Sequence, residues 1–125
     1  MNGYLLDTHV LLWLLEDSPK LDRGLKDLFA EAERLYASAA SLWELAIKSG
    51  LGQVVLPDGF VDEIGRAGIV ELPVGFEHAM GVRELPALHR DPFDRLLVAQ
   101  AQAEGLVLVT RDEVLTRYPV AFLRA

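Results

Sequence analysis

Hydrophobic residues form two short continuous runs, at residues 4–6 and 106–109, and acidic or hydroxyl side chains follow both runs. Uninterrupted apolar runs of this length are typical of strands buried on both faces of a parallel sheet. Three further short runs, at residues 35–37, 69–72 and 120–123, predict additional strands. The pattern therefore predicts a sheet of short, mostly parallel strands.

Apolar residues recur at helical spacing in the segments that connect these strands. The predicted helices are residues 8–16, 20–33, 41–49, 57–67, 76–84 and 91–104. Strands that alternate with helices predict an α/β fold with three layers, in which helices flank a mostly parallel central sheet. Neither a repeat nor a linker divides residues 1–125, so a single domain is expected. The short strands leave their order in the sheet open.

Composition narrows the class of protein. With 125 residues, 51% of them hydrophobic, the chain can bury a core without disulfide bonds or a structural metal. It has no cysteine, which excludes thiolate zinc sites and a cysteine nucleophile. No apolar run approaches the roughly 18 residues of a membrane span, and no cationic leader begins the chain. We therefore expect a cytoplasmic protein without membrane association.

The net charge is −7, from 19 acidic residues against 12 lysines and arginines. This charge by itself argues against nonspecific binding to nucleic acid. Binding to nucleic acid would still be possible if the acidic residues clustered and divalent cations neutralised them. The cationic side chains then available for phosphates are Lys48, Arg90, Arg95 and Arg111.

Asp7 and Asp112 are the first acidic residues after the two apolar runs at residues 4–6 and 106–109. Parallel strands joined by right-handed crossovers end at one edge of the sheet, where open α/β folds usually bind ligands. Each aspartate is also well placed to cap the helix that follows, which is an ordinary structural role. Thr110 either donates a hydrogen bond to a carboxylate of such a site or caps a turn.

The segment HRDPFDRLLVAQA, residues 89–101, carries two more aspartates before an apolar helix. Asp91 is expected to be the N-cap, with Pro92 at the first helical position. Asp94 in the first turn suits the positive end of the helix dipole. Both aspartates therefore have a structural explanation, and a metal-binding role depends on the other acids.

The segment SLWELAIKSG, residues 41–50, contains a fourth candidate acid. Ser41 and Glu44 have the spacing of a capping box, and Glu44 lies four residues before Lys48, the favourable order for an ion pair. Apolar neighbours such as Trp43 and Leu45 put Glu44 near a buried face. Structural and functional roles for Glu44 both remain open.

The histidines and glycines form no recognised binding motif. His9, His78 and His89 lack the spacing of a zinc site, so each is expected at the surface or in packing. Gly50 and Gly52 belong to neither a dinucleotide-binding motif nor a P-loop. The candidate chemistry therefore rests on carboxylates.

The segments LLDTHVLLWLL, SLWELAIKSGLGQVVLP and HRDPFDRLLVAQAQAEGLVLVTRDEVL resemble the PIN domains, and among them the VapC-like toxins of bacterial toxin–antitoxin pairs. They occur in the family's order and span most of the chain. The resemblance implies an acidic quartet, and its members here are Asp7, Glu44, Asp94 and Asp112. Thr110 occupies a position that the family often fills with Thr or Ser. Many members have one more acid two residues after the fourth, and Val114 occupies that position here. Asp91 is expected to keep its capping role, and it could also contribute to the metal site without contacting the metal.

Four carboxylates brought close together would repel one another, and Mg²⁺ or Mn²⁺ would relieve that repulsion. Asp7 and Asp94 are the expected direct ligands, while Glu44 and Asp112 act through water or a second ion. The resemblance implies RNA as substrate, with 3′-hydroxyl and 5′-phosphate products. It also implies a homodimer and a small DNA-binding antitoxin as partners. Apolar residues that would serve either a contact surface or the core are Trp13, Leu14, Leu15 and Leu45.

Two alternatives belong to other functional classes. A haloacid-dehalogenase-like phosphatase also has an aspartate after its first strand, but it needs a second aspartate at the position that His9 occupies here. An interaction module that kept a PIN-like scaffold without activity would not need the four acids, all of which are present.

Overall fold

The structure is a computed structural model that describes residues 3–125. Its described residues form one five-stranded sheet in which all neighbouring strands are parallel. The strands are β1 (Tyr4–Leu6), β2 (Leu35–Ser38), β3 (Ile69–Leu72), β4 (Val107–Thr110) and β5 (Phe122–Arg124), in the spatial order β3-β2-β1-β4-β5. The α/β prediction is confirmed, and the sheet is parallel throughout.

Six α-helices connect the strands along the described chain. They are α1 (Thr8–Leu15), α2 (Arg23–Glu31), α3 (Ala39–Gly50), α4 (Phe60–Arg66), α5 (Phe76–Gly81) and α6 (Pro92–Glu104), and short 3₁₀ turns cover Val82–Glu84 and Leu115–Arg117. All six predicted helices are present. Helix α4 begins three residues later than predicted because Gly59 precedes it at φ 73°, a left-handed conformation that favours glycine.

The start of α3 corrects one prediction. Ser38, at the end of β2, caps the helix by accepting a hydrogen bond from the Ala40 amide at 3.0 Å. Ser41 therefore lies inside the helix, and the predicted capping box of Ser41 and Glu44 is wrong. Glu44 is consequently free of a capping role.

The sheet is buried on both faces, as its apolar runs predict. Leu5 and Leu108 contribute to the core on one face, while Leu6 and Val109 contribute to the core on the other. All four side chains are fully buried, because successive residues of a strand point to opposite sides. The two central strands are thereby fixed between layers of helices.

The strand order places the candidate acids. Strands β2 and β3 lie on one side of β1, whereas β4 and β5 lie on the other, so the order reverses between β1 and β4. Ligands of open α/β sheets bind beside the carboxyl ends of strands at such a point. Asp7 leaves β1 there, and Thr110 ends β4 in the adjacent position. Among the described residues, no helix is long and apolar enough to span a membrane.

Candidate metal-binding site

Asp7 is the N-cap of α1 and lies buried beside the end of β4. Its Oδ1 accepts a hydrogen bond from the Val10 amide at 2.9 Å, and its Oδ2 accepts one from the Thr110 hydroxyl at 2.6 Å. Burial raises the pKa of Asp7, and the hydrogen bonds from Thr110 and Val10 oppose that shift. Each carboxylate oxygen retains a second lone pair for a ligand. Asp7 is thus a rigidly held carboxylate, and Thr110 does donate to a candidate acid.

Glu44 projects from α3 and is only 7% exposed. Its Oε1 accepts a hydrogen bond from the Thr8 hydroxyl at 2.8 Å, and its Oε2 accepts one from the Lys48 ammonium group at 2.9 Å. The hydrogen bond to Glu44 also raises the pKa of Lys48. The predicted ion pair is confirmed, and the Thr8 contact ties Glu44 to the residue next to Asp7.

Asp94 lies in the first turn of α6, whose N-cap is Asp91 as predicted. The Asp91 carboxylate accepts hydrogen bonds from the amides of Phe93 at 2.8 Å and Asp94 at 3.3 Å. Burial raises the pKa of Asp94 to about 7, and the negative charges of Asp91, Asp7 and Glu44 add to the shift. These acids therefore converge on Asp94. Among the described residues, the only polar side chain that contacts its carboxylate is a histidine.

That histidine is His89, whose Nε2 lies 3.3 Å from Asp94 Oδ2 and 3.0 Å from Asp112 Oδ2. Asp112 Oδ1 accepts a hydrogen bond from the Val114 amide, and the Asp112 amide donates to the Thr110 hydroxyl oxygen. Asp112 is therefore linked to Asp7 through Thr110 and to Asp94 through His89. The structure brings all four predicted acids together.

His89 was not predicted at this site. The prediction of a surface or packing histidine is wrong for His89, since its ring lies between two candidate acids. It holds for His9, which is exposed beside Trp13, and for His78, which is buried against α6. The one feature in the sequence that could have indicated this position is that His89 lies two residues before Asp91, the N-cap of α6. The contact with Asp112 spans 23 residues, so no local spacing predicts it.

The donor set fits a hard divalent cation. Carboxylate oxygens are the ligands that Mg²⁺ and Mn²⁺ prefer, and the described residues offer four of them around one point of the sheet edge. A cation would also favour the charged form of Asp94, whose pKa burial and neighbouring acids raise. One oxygen each of Asp94 and Asp112, with a ring nitrogen of His89, lie within 4.8 Å of one another.

A groove of about 350 Å³ opens beside these acids. It is lined by Glu44, Ile47, Lys48, Arg90, Asp91, Pro92 and Phe93. At its side, the rings of Trp43 and Phe93 meet edge to face at 5.1 Å, and Trp43 is 62% exposed. The groove combines cationic side chains with an accessible aromatic surface.

Two of the predicted phosphate-binding cations have other partners. Arg95 donates to the carbonyl oxygens of Pro86 at 2.9 Å and Val82 at 3.1 Å, and to the Tyr118 hydroxyl. Arg111 lies 4.3 Å from the ring centre of Trp13 and donates to backbone carbonyls. The prediction that Arg95 is available for phosphates is therefore wrong, whereas Arg111 is exposed and its role stays a prediction. Lys48 and Arg90 remain beside the groove.

The raised pKa of Asp94 predicts how the stability of the metal-free protein depends on pH. Between pH 3.8 and about pH 7, Asp94 is protonated in the folded state and charged in the unfolded state. The fold therefore loses stability as the pH rises through this range, and the loss is complete above pH 7 and absent below pH 4. In EDTA, Asp94→Asn should increase the free energy of unfolding at pH 8, and the increase should shrink towards pH 5. Urea unfolding at both pH values measures this difference. An equal effect at pH 5 and pH 8 would contradict the assignment.

Comparison with known proteins agrees with this architecture. The family model of the PIN domain matches residues 4–121. VapBC2 from Rickettsia felis, solved with a DNA fragment from its promoter, aligns with TM-score 0.74, 18% identity and 98% coverage of both chains. DNA-bound VapBC from Salmonella typhimurium aligns with TM-score 0.72, 18% identity and coverage of 99% of this chain and 98% of that one. VapBC-5 from Mycobacterium tuberculosis has TM-score 0.62, 20% identity and 98% coverage of both. None of the curated proteins matches significantly.

Proposed function

The chain belongs to the PIN domain family, and from that premise we propose that it is a divalent-metal-dependent endoribonuclease. The observation that carries the proposal is the position of Asp94, which is partly buried and feels the charges of Asp7 and Glu44. A cation held beside such a group would favour its charged form at neutral pH. A carboxylate cluster that recruits Mg²⁺ or Mn²⁺ is suited to phosphodiester hydrolysis.

Each acid has a distinct part in the proposal. Asp7 and Asp94 hold the cation directly, while Glu44 and Asp112 act through water or a second ion. When bound, the cation makes water easier to deprotonate and stabilises negative charge on the phosphate. Thr110 orients Asp7, and Thr8 with Lys48 orients Glu44, so these two carboxylates are preorganised. The Asp94 side chain remains 21% exposed.

The groove favours RNA that is single-stranded. Exposed aromatic rings stack unpaired bases, and Trp43 presents such a ring beside Phe93. Arg90 and Lys48 supply positive charge for the phosphates next to the acids. With Glu44 and Asp91 also in its lining, the groove carries as many cationic as acidic side chains, whereas the whole chain has a net charge of −7, which disfavours RNA binding elsewhere on the protein.

The chemistry of the products tests the reaction type. Water attacking phosphorus and expelling the 3′ oxygen gives one fragment with a 3′-hydroxyl group and another with a 5′-phosphate. We expect these ends from a synthetic single-stranded RNA incubated with the protein and Mn²⁺, analysed by mass spectrometry. A 2′,3′-cyclic phosphate would instead indicate attack by the RNA 2′-hydroxyl and would contradict water as the nucleophile.

We further propose that the enzyme is the toxin of a toxin–antitoxin pair and forms a homodimer. The support is the structural likeness to VapBC proteins from several bacteria. The partner would be a small DNA-binding antitoxin. Leu45 is a core residue and is excluded from any contact surface, whereas Trp13, Leu14 and Leu15 are only partly buried.

Expression of the wild-type chain alone should therefore arrest bacterial growth. Co-expression of a small gene that neighbours it should relieve the arrest, because an antitoxin would cover the site. Asp94→Asn is the matched control and should be harmless at equal protein level. Normal growth with a wild-type enzyme that cleaves RNA in vitro would contradict the toxin assignment.

The alternative of an inactive interaction module makes the opposite prediction for the acids. It requires no cation and no cleavage, and it gives no reason for the convergence of four carboxylates at one sheet edge. The phosphatase alternative requires an acid at position 9, but the side chain there is an exposed histidine. Neither alternative is favoured by a specific feature of the site.

A further inference from the structure

The ring of His89 has an arrangement that a metal ligand would not have. Its Nδ1 accepts a hydrogen bond from the Asp91 amide at 3.1 Å, so the Nδ1 lone pair is occupied. A neutral imidazole carries one N–H, which must then be on Nε2. Nε2 is the atom that faces Asp112 at 3.0 Å and Asp94 at 3.3 Å. A nitrogen that carries a proton has no lone pair for a cation.

We propose that His89 is a positioning residue that donates its Nε2 hydrogen to Asp112, with Asp94 close beside the same nitrogen, and stays outside the metal's ligand set. This inference rests on the proposed metal dependence of the site. It separates two interpretations of the same cluster, since the proximity of His89, Asp94 and Asp112 alone would also suit a histidine ligand.

Contacts of the His89 backbone hold the residue in position. Its backbone amide donates to the Tyr118 hydroxyl at 2.8 Å, and Tyr118 is buried. Arg95 donates to the same hydroxyl at 3.2 Å and holds the chain at Pro86 and Val82. Arg95 thus stabilises the segment that carries His89, which explains why this arginine is not available for phosphates.

The consequence is a site that is partly assembled before a cation arrives. Asp94 and Asp112 come from α6 and from the loop after β4, and two unbridged carboxylates would move apart. A neutral N–H donor holds their oxygens near one another without adding a charge that would compete with a cation. Hydrogen-bond partners of metal ligands typically contribute about 10- to 100-fold to metal affinity.

The tautomer of His89 tests the inference directly. Long-range ¹H–¹⁵N correlation spectra of ¹⁵N-labelled protein at pH 8, recorded without and with saturating Mg²⁺, should show the proton on Nε2 in both samples. A proton on Nδ1 in either sample would overturn the proposal. The Asp94 backbone amide reports Mg²⁺ binding separately. If that amide does not shift, the proposed metal dependence fails, and the metal-free tautomer alone decides the role of His89 as a donor.

Two substitutions give a second, independent measurement. His89→Gln offers an amide N–H close to the position of Nε2, whereas His89→Ala offers none. Mn²⁺ titration by calorimetry should give a Kd for His89→Gln within about threefold of wild type and a Kd for His89→Ala about 10- to 100-fold weaker. Equal weakening in both His89 variants, or unchanged affinity in His89→Ala, would overturn the proposal.

Discussion

Asp94→Asn should lower the rate of RNA cleavage by roughly three orders of magnitude, an effect typical of removing one group that stabilises charge in the transition state. Asparagine has nearly the same shape as aspartate, but it cannot supply the negative charge that holds a divalent cation. Asp7→Asn should have a comparable effect because the charge is lost, although its one amide oxygen can accept only one of the hydrogen bonds that Val10 and Thr110 donate to the carboxylate. Single-turnover cleavage of labelled single-stranded RNA in Mn²⁺ measures both rates.

Asp91→Asn is the matched control for this experiment. Asparagine caps helices about as well as aspartate, so α6 should remain intact. The charge of Asp91 also acts on Asp94, so a small change in rate is expected, far below the loss in Asp94→Asn. EDTA added to the wild-type protein should reproduce the loss seen with Asp94→Asn. Cleavage that continues in EDTA, or that survives in both the Asp7 and Asp94 variants, would show that the acidic cluster is not the source of activity.

The parts of the fold that follow from local physics could be predicted from the sequence. The runs that contain Leu5 and Leu108 identified the two central strands, because short uninterrupted apolar runs are typical of strands buried on both faces. The capping role of Asp91 followed from its place before Pro92. The convergence of Asp7 and Asp112 followed from their position after parallel strands. The sheet order could not be predicted, because strands of three or four residues carry too little pattern to select their neighbours.

The site's supporting contacts could not be predicted, because they join distant parts of the chain. His89 meets Asp112 across 23 residues, and Tyr118 meets the His89 amide across 29. Arginine is a residue type that commonly binds phosphate, but in the folded chain the guanidinium group of Arg95 donates to backbone carbonyls. Such contacts depend on how α6 packs against its neighbours, and nothing local to these residues specifies that packing.

Stabilisation by Mn²⁺ should be the second large effect, and it requires no knowledge of the substrate. Folding brings Asp7, Glu44, Asp94 and Asp112 together, so a cation that they hold should bind the native state in preference to the unfolded chain. Such binding adds RT ln(1 + [L]/Kd) to the free energy of unfolding, about 1.4 kcal/mol at ten times Kd. For a domain of this size, such a gain in the free energy of unfolding corresponds to an increase in melting temperature of several degrees.

Thermal unfolding across a Mn²⁺ titration of wild type and Asp94→Asn therefore tests most directly whether these acids form a cation site. The quantity to compare is the increase over an ionic-strength-matched sodium control, since Asp94→Asn should also change the stability of the metal-free protein. We predict an increase of several degrees for wild type, a similar increase for Asp91→Asn, and a much smaller one for Asp94→Asn. Equal increases for wild type and Asp94→Asn over the whole titration would contradict the account.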